Sequence, residues 1–241
     1  MLWFTSDLHL GHENIIRFTG RPWATAAEMN EALIDNINAC VKPGDTLYIL
    51  GDVSFRAGFK NVAETVGRIA CRHVRLIRGN HDGDVPEEGF FEAVRDYEEV
   101  KYHGRKLCLM HYPLLTWNGI YYGSIHLHGH IHSQGDEYNR RNLAQGYLRY
   151  DVGVDANGYR PVSFTEIEKF FKDAQIVTPR RDNENAGVKR QNGKAAVPGV
   201  DMAPDDGPAP DDEPAPCEDM TPDCGTGPLG GATPGDGGTD E

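Results

Sequence analysis

Three short apolar runs, at residues 2–6, 46–50 and 73–78, each close on a polar loop containing glycine, the pattern of buried strands. Between the first two, residues 26–40 carry apolar side chains at helical spacing behind a capping box in which Thr25 precedes Glu28 by three positions. A second helix is predicted over 61–70. The resulting β-α-β-α-β order implies parallel strands joined by right-handed crossovers. Farther on, 99–103 and 106–110 flank Gly104-Arg105 and predict a hairpin, with further strands at 124–128 and 150–154. A closing helix follows Ser163, where Glu166 completes another capping box and Ile167, Phe170 and Phe171 form the apolar stripe. The predicted fold class is α/β, a four-layer α-β-β-α sandwich of two mixed sheets flanked by helices.

Composition then divides the chain. All ten histidines fall between His9 and His132 and the last aromatic is Phe171, so a domain over 1–178 is expected, large enough to bury one core. A mixed-charge linker follows at 179–194. Residues 195–241 hold nine Gly, nine Pro and twelve Asp or Glu with no Lys, Arg or aromatic, a composition expected to stay disordered. This tail carries −12 of the net charge of −13. The rest is near neutral, which argues against a strongly basic nucleic-acid binder. No run approaches the roughly 18 apolar residues of a membrane span, and Asp7 and His9 stand where a signal peptide needs its apolar core. A soluble, cytoplasmic protein without membrane partner is expected, its five cysteines free thiols rather than disulfides or a zinc knuckle.

The chemistry lies at the predicted strand ends. Asp7 and His9 follow the first strand, Gly51-Asp52 the second, Gly79-Asn80-His81-Asp82 the third, His111 the hairpin strand, and Gly129-His130-Ile131-His132 the next. Loops at the carboxyl ends of parallel strands converge on one rim. Carboxylate, imidazole and amide oxygen together suit a pair of divalent cations, manganese first, with iron, zinc or nickel as alternatives; calcium and magnesium would want more oxygen. Asp7 and His9, like His130 and His132, are two apart, which in an extended segment projects both to one side. Gly51, Gly79 and Gly129 each precede a proposed ligand, permitting tight turns and close backbone approach to metals or phosphate.

In order, these DxH, GD, GNHD, single-His and GHxH blocks over residues 7–132 resemble the signature of the calcineurin-like metallophosphoesterases. The stretch from Thr5 through Gly11-His12-Glu13-Asn14-Ile15-Ile16, with Val152-Gly153-Val154-Asp155 and Arg160-Pro161-Val162, is similar to the small single-domain phage and bacterial members. The resemblance implies one metal on Asp7, His9, Asp52 and His132 and a second on Asp52, Asn80, His111 and His130, with Asp52 bridging. It further implies hydrolysis of a phosphodiester or phosphomonoester by a hydroxide held between the metals. His81, within GNHD but outside the ligand set, becomes the general acid for the leaving alkoxide. Phe55 and Arg56 depart from the protein Ser/Thr phosphatase branch, which counts against phosphoprotein substrates.

Beside the blocks, His12, His126 and His128 stand where a side chain can orient a ligand, against ordinary packing or exposure, and Asp82 stands where it can either orient the His81 imidazole or finish the turn. His73 and His103 lie outside any block and are assigned no role; Asp155-Ala156-Asn157-Gly158 reads as a turn. The expected partner is a small phosphate ester or nucleotide-type substrate. Nucleic-acid ends are an alternative that composition does not indicate, and a non-catalytic scaffold for a protein partner is the reading from another class. Intact ligand positions and His81 favour catalysis.

Overall fold

In the computed structural model, residues 1–55, 59–83, 85–86 and 89–177 are described. The expected linker and acidic tail lie outside them. The first four strands are β1 (Leu2–Thr5), β2 (Thr46–Ile49), β3 (His73–Ile77) and β4 (Ala93–Arg95), all parallel. Then come β5 (Tyr97–Tyr102), β6 (Arg105–Met110), β7 (Ile125–His128) and β8 (Arg149–Asp151). Here β5 pairs antiparallel with β6, and β6, β7 and β8 run parallel. A final strand, β9 (Val162–Ser163), returns to the first sheet antiparallel to β1. The sheet orders are therefore β4-β3-β2-β1-β9 and β5-β6-β7-β8, two mixed sheets as expected.

Alternation along the strands builds the layers. Leu2, Phe4, Tyr48, Leu50 and Ile77 of the first sheet meet Leu107, Leu109, Ile125, Leu127 and Tyr150 of the second in one apolar core. Leu47, Ile49, Val74 and Leu76 face the other way, onto helices. Of these, α1 (Glu13–Thr19) stops at left-handed Gly20, and α2 (Ala26–Cys40) buries Met29, Leu33, Ile34 and Ile37 at three- and four-residue spacing. The α2 start is capped as expected, with the Glu28 N–H donating to Thr25 Oγ1 at 3.2 Å. Burying a Leu or Ile side chain contributes about 1.5–3 kcal/mol, so this face rather than intrinsic propensity holds the helix. The outer face of the second sheet presents Cys108 to Trp117 and Ile120, and α4 (Glu137–Ala144) packs beside β8.

Several boundaries differ from expectation, each for a local reason. The predicted helix over 61–70 is α3 (Phe59–Val66); past it, the Arg68 and Ile69 N–H groups bond carbonyls three residues back in a tightened turn. The hairpin turn is His103-Gly104 rather than Gly104-Arg105. Both turn residues have positive φ, 47° and 78°, the two-residue geometry that matches strand twist. The strand predicted over 150–154 leaves the second sheet after Asp151: the Val152 N–H bonds the His128 carbonyl, whereas the Val154 N–H bonds the Ser6 carbonyl in the first sheet. The closing helix is α5 (Phe164–Phe170), with the Ser163/Glu166 capping box in place and Ile167 and Phe171 sunk into the core between the sheets. Cys40, Cys71 and Cys108 are free thiols. No helix among the described residues is long and apolar enough to cross a membrane.

Candidate metal centre

The β1–β2 ladder continues beyond both strands: the Asp7 N–H bonds Gly51 O at 3.0 Å and the His9 N–H bonds Asp52 O at 2.9 Å. This carries Asp7 and His9 alongside Asp52. The backbone there is not extended, as the spacing of two residues had suggested. Asp7, His9, Asp52, His130 and His132 all have left-handed φ, at 59°, 49°, 55°, 74° and 46°. Alternating left-handed residues, rather than a pleat, bring the paired side chains to one side. Such conformations cost on the order of 1–2 kcal/mol per residue and persist where surrounding bonds enforce them.

Asp82 supplies part of that enforcement. Its carboxylate is buried and accepts from the backbone N–H of Asp52 at 2.7 Å, Val53 at 2.9 Å and Gly79 at 2.8 Å. Those bonds, rather than one to the His81 imidazole, are its role. The glycines have a related reason. A Cβ at Gly79 would overlap the Asp52 carboxylate, and one at Gly129 would overlap Asp7 and Ser6. The close approach they permit is to the side chains of Asp52, Asp7 and Ser6.

Two groups of candidate ligand atoms result, the atoms of each lying within 4.8 Å of one another: Asp7, His9 and His132, and Asp52, His111 and His130. Asp52 Oδ2 lies 3.4 Å from His9 Nε2 and 3.4 Å from His111 Nε2, between the two groups. Asn80 Oδ1 stands 3.1 Å from His111 Nε2. The His81 N–H donates to Asp52 Oδ1 at 3.0 Å, and its half-buried ring stands 5.4 Å from His9 and 4.9 Å from Phe55 between centroids.

Charge follows burial and contact. Burial pushes the Asp7 carboxyl up to about 7. Burial also raises Asp52, but the His111 hydrogen bond and charge outweigh it and hold Asp52 at about 2. His9 is pushed down to about 3 by burial, leaving its imidazole neutral. Both His9 ring nitrogens are buried with no hydrogen-bond partner among the described residues. A neutral imidazole without a protein partner, beside two carboxylates and further imidazoles, is a donor set that fits divalent cations. Calcium and magnesium prefer oxygen shells, so a transition metal suits it better.

The neighbours divide. His12 stacks on Phe55, with centroids 3.8 Å apart, and stands 5.5 Å from the His9 ring. His128 does not orient a ligand: its Nδ1 bonds the Gly129 carbonyl and its ring packs against His126 and Tyr138. Tyr112 edges both His111 and His130. Trp117 is buried, its Nε1 donating to Ser124 O. One residue read only as a turn does more: Asp155 Oδ2 accepts from His132 Nδ1 at 2.8 Å.

A family model described as calcineurin-like phosphoesterase matches residues 1–183. The chain is 32% identical over 182 residues to uncharacterized protein MJ1445 of Methanocaldococcus jannaschii, covering 75% of this chain and 97% of that protein. It is 31% identical over 201 residues to the gene 66 protein of Mycobacterium phage L5, covering 68% and 91%. A solved structure, the Aquifex aeolicus protein of unknown function AQ665, superposes with a TM-score of 0.57 at 28% identity, covering 70% of this chain and 98% of that one. With the strand-end blocks gathered on one rim, these matches establish that the chain belongs to the calcineurin-like phosphoesterase family.

Proposed function

We propose that the protein hydrolyses a phosphodiester or phosphomonoester of a small or nucleotide-type substrate, using two divalent cations, manganese foremost. The carrying observation is the position of one oxygen, Asp52 Oδ2, 3.4 Å from an imidazole nitrogen of each ligand group. Asp7, His9, Asp52 and His132 would hold one cation and Asp52, Asn80, His111 and His130 the other. When bound, such a pair polarises a phosphate oxygen and makes water a nucleophile near neutral pH.

The chain's own residues supply the rest. Asp52 Oδ1 fixes the His81 backbone through its N–H, and Phe55 and His9 flank the ring. His81 gives its proton to the ester oxygen as the P–O bond to the leaving group breaks, a contribution typically of about 10² to 10⁴ in rate. Tyr112, partly exposed against His130, offers an aromatic edge for a leaving group. The unpaired cysteines fit a reducing, cytoplasmic setting.

Hydrolysis of bis-p-nitrophenyl phosphate and p-nitrophenyl phosphate tests this reading. Activity should require added Mn(II) and vanish with chelator. On an alkyl phosphate ester, whose alkoxide leaves only with a proton, His81→Ala should lose about 10² to 10⁴ of the rate while binding the same number of cations. Hydrolysis indifferent to chelation would overturn the mechanism.

A further inference from the structure

Arg21 follows the left-handed Gly20 that ends α1 and lies buried beneath the rim. A guanidinium has five N–H donors, and here every one finds an acceptor. Nε donates to Asp155 Oδ1 and Nη2 to Asp155 Oδ2, each at 2.9 Å. Nη2 also reaches Asp7 O at 2.7 Å, and Nη1 reaches Leu8 O at 3.0 Å and Met29 Sδ at 3.3 Å. Both side chains of the Arg21–Asp155 pair are fully buried.

The same Asp155 Oδ2 accepts from His132 Nδ1 at 2.8 Å. A carboxylate accepts only, so Nδ1 carries the hydrogen, and in the neutral ring Nε2, which stands 4.0 Å from Asp7 Oδ1, keeps the lone pair. One guanidinium thus grips the segment that supplies Asp7 and His9 directly, through the carbonyls of Asp7 and Leu8, and reaches His132 through the Asp155 carboxylate. The other ligand group is braced differently. There the His111 Nδ1 meets the Leu50 carbonyl at 2.7 Å, a neutral acceptor.

We propose that Arg21 and Asp155 are positioning residues for the cation site of Asp7, His9 and His132. They set the tautomer of His132 and the backbone path of the Asp7–His9 turn. This rests on the two-cation reading above. The planar fork is essential, because an ammonium cannot meet two carboxylate oxygens and two carbonyls in one plane.

Titration of the full chain with Mn(II), followed by the paramagnetic resonance signal of the free ion, tests it. Circular dichroism verifies folding. Wild type should bind two ions per chain. Asp155→Asn and Arg21→Lys should bind one with unchanged affinity and the other 10- to 100-fold more weakly. Should either fail to fold, the charge-neutral double variant Arg21→Met/Asp155→Leu removes the same brace without leaving a buried charge unpaired. Adding Asp155→Asn to Asn80→Ala should weaken the ion that Asn80→Ala retains, which assigns the effect to the Asp7 side. Folded variants with both affinities unchanged, or both reduced alike, would overturn the positioning role. Wild type binding fewer than two ions would overturn the two-cation reading, and this inference with it.

Discussion

The backbone N–H of His130 donates to both carboxylate oxygens of Asp7, at 3.0 Å each, fastening the loop that leaves the second sheet to the loop that leaves the first. Burial of the same carboxylate pushes its pKa up to about 7 from the usual 3.8. An acid whose folded pKa is raised contributes stability fully below the unfolded value and loses it as pH rises through the folded one. Without cations, the unfolded chain ionises Asp7 first, so the fold should weaken between about pH 4 and 7, by on the order of 4 kcal/mol at pH 8. Asp7→Asn should be more stable than wild type to urea in chelator at pH 8, with the advantage narrowing toward pH 4, and should bind fewer cations.

Asp82→Ala strands the buried N–H groups of Asp52 and Val53 and the half-buried one of Gly79 at once. A loss of about 3–5 kcal/mol is expected in urea unfolding, since each orphaned donor costs about 1–3 and neighbours do not add fully. Asp82→Asn, keeping one acceptor oxygen, should lose less.

Gly79→Ala places a methyl group against the Asp52 carboxylate, whose Oδ2 lies 3.4 Å from an imidazole nitrogen of His9 and of His111. Displacing that side chain by an ångström should lower turnover by roughly 10²-fold and weaken both cations, as read by Mn(II) titration. If both affinities match wild type, Asp52 is not held where the site needs it.

His126 lies fully buried outside the ligand set, its Nδ1 donating to Cys108 O at 3.0 Å while Nε2 accepts from the Leu114 N–H at 3.0 Å. Burial pushes its pKa down to about 4 from the usual 6.5. The unfolded chain therefore takes up a proton first as pH falls, and stability drains away between about 6.5 and 4. Unfolding free energies at pH 7 and 5 should differ by about 2 kcal/mol from this group. His126→Gln, which keeps a donor and an acceptor, should remove that increment.

Much of this architecture could be read from spacing. The apolar runs of β1, β2 and β3 and the stripe of α2 are strong periodic signals, and the blocks of Asp, Asn and His fall where parallel strands end. Short elements escaped for want of a period: β4 has three residues and β9 two. The helix α4 escaped because its buried face is polar. Asn139 there pairs with both backbone groups of Asp151, standing in for a neighbouring strand at the edge of the second sheet.

The missing part of the site was hidden for other reasons. Left-handed φ at Asp7, His9, Asp52, His130 and His132 leaves no mark in composition, because Asp and His tolerate that region better than most residues do. Asp155 sits in Asp-Ala-Asn-Gly, a turn composition that already accounts for an aspartate. Its partner Arg21 is 134 positions away, with no pattern linking the two.

The rim takes Asp7, His9, Asp52 and Asn80 from the first sheet and His111, His130 and His132 from the second. Cations held as proposed would act as a clasp across the sandwich. Whatever loosens the seam between the halves would then also release ions, and by reciprocity each ion captured would raise the melting temperature in proportion to the logarithm of its concentration. Starving a cell of transition metal would then cost this protein its durability as well as its turnover, and protease resistance would become a gauge of metal supply.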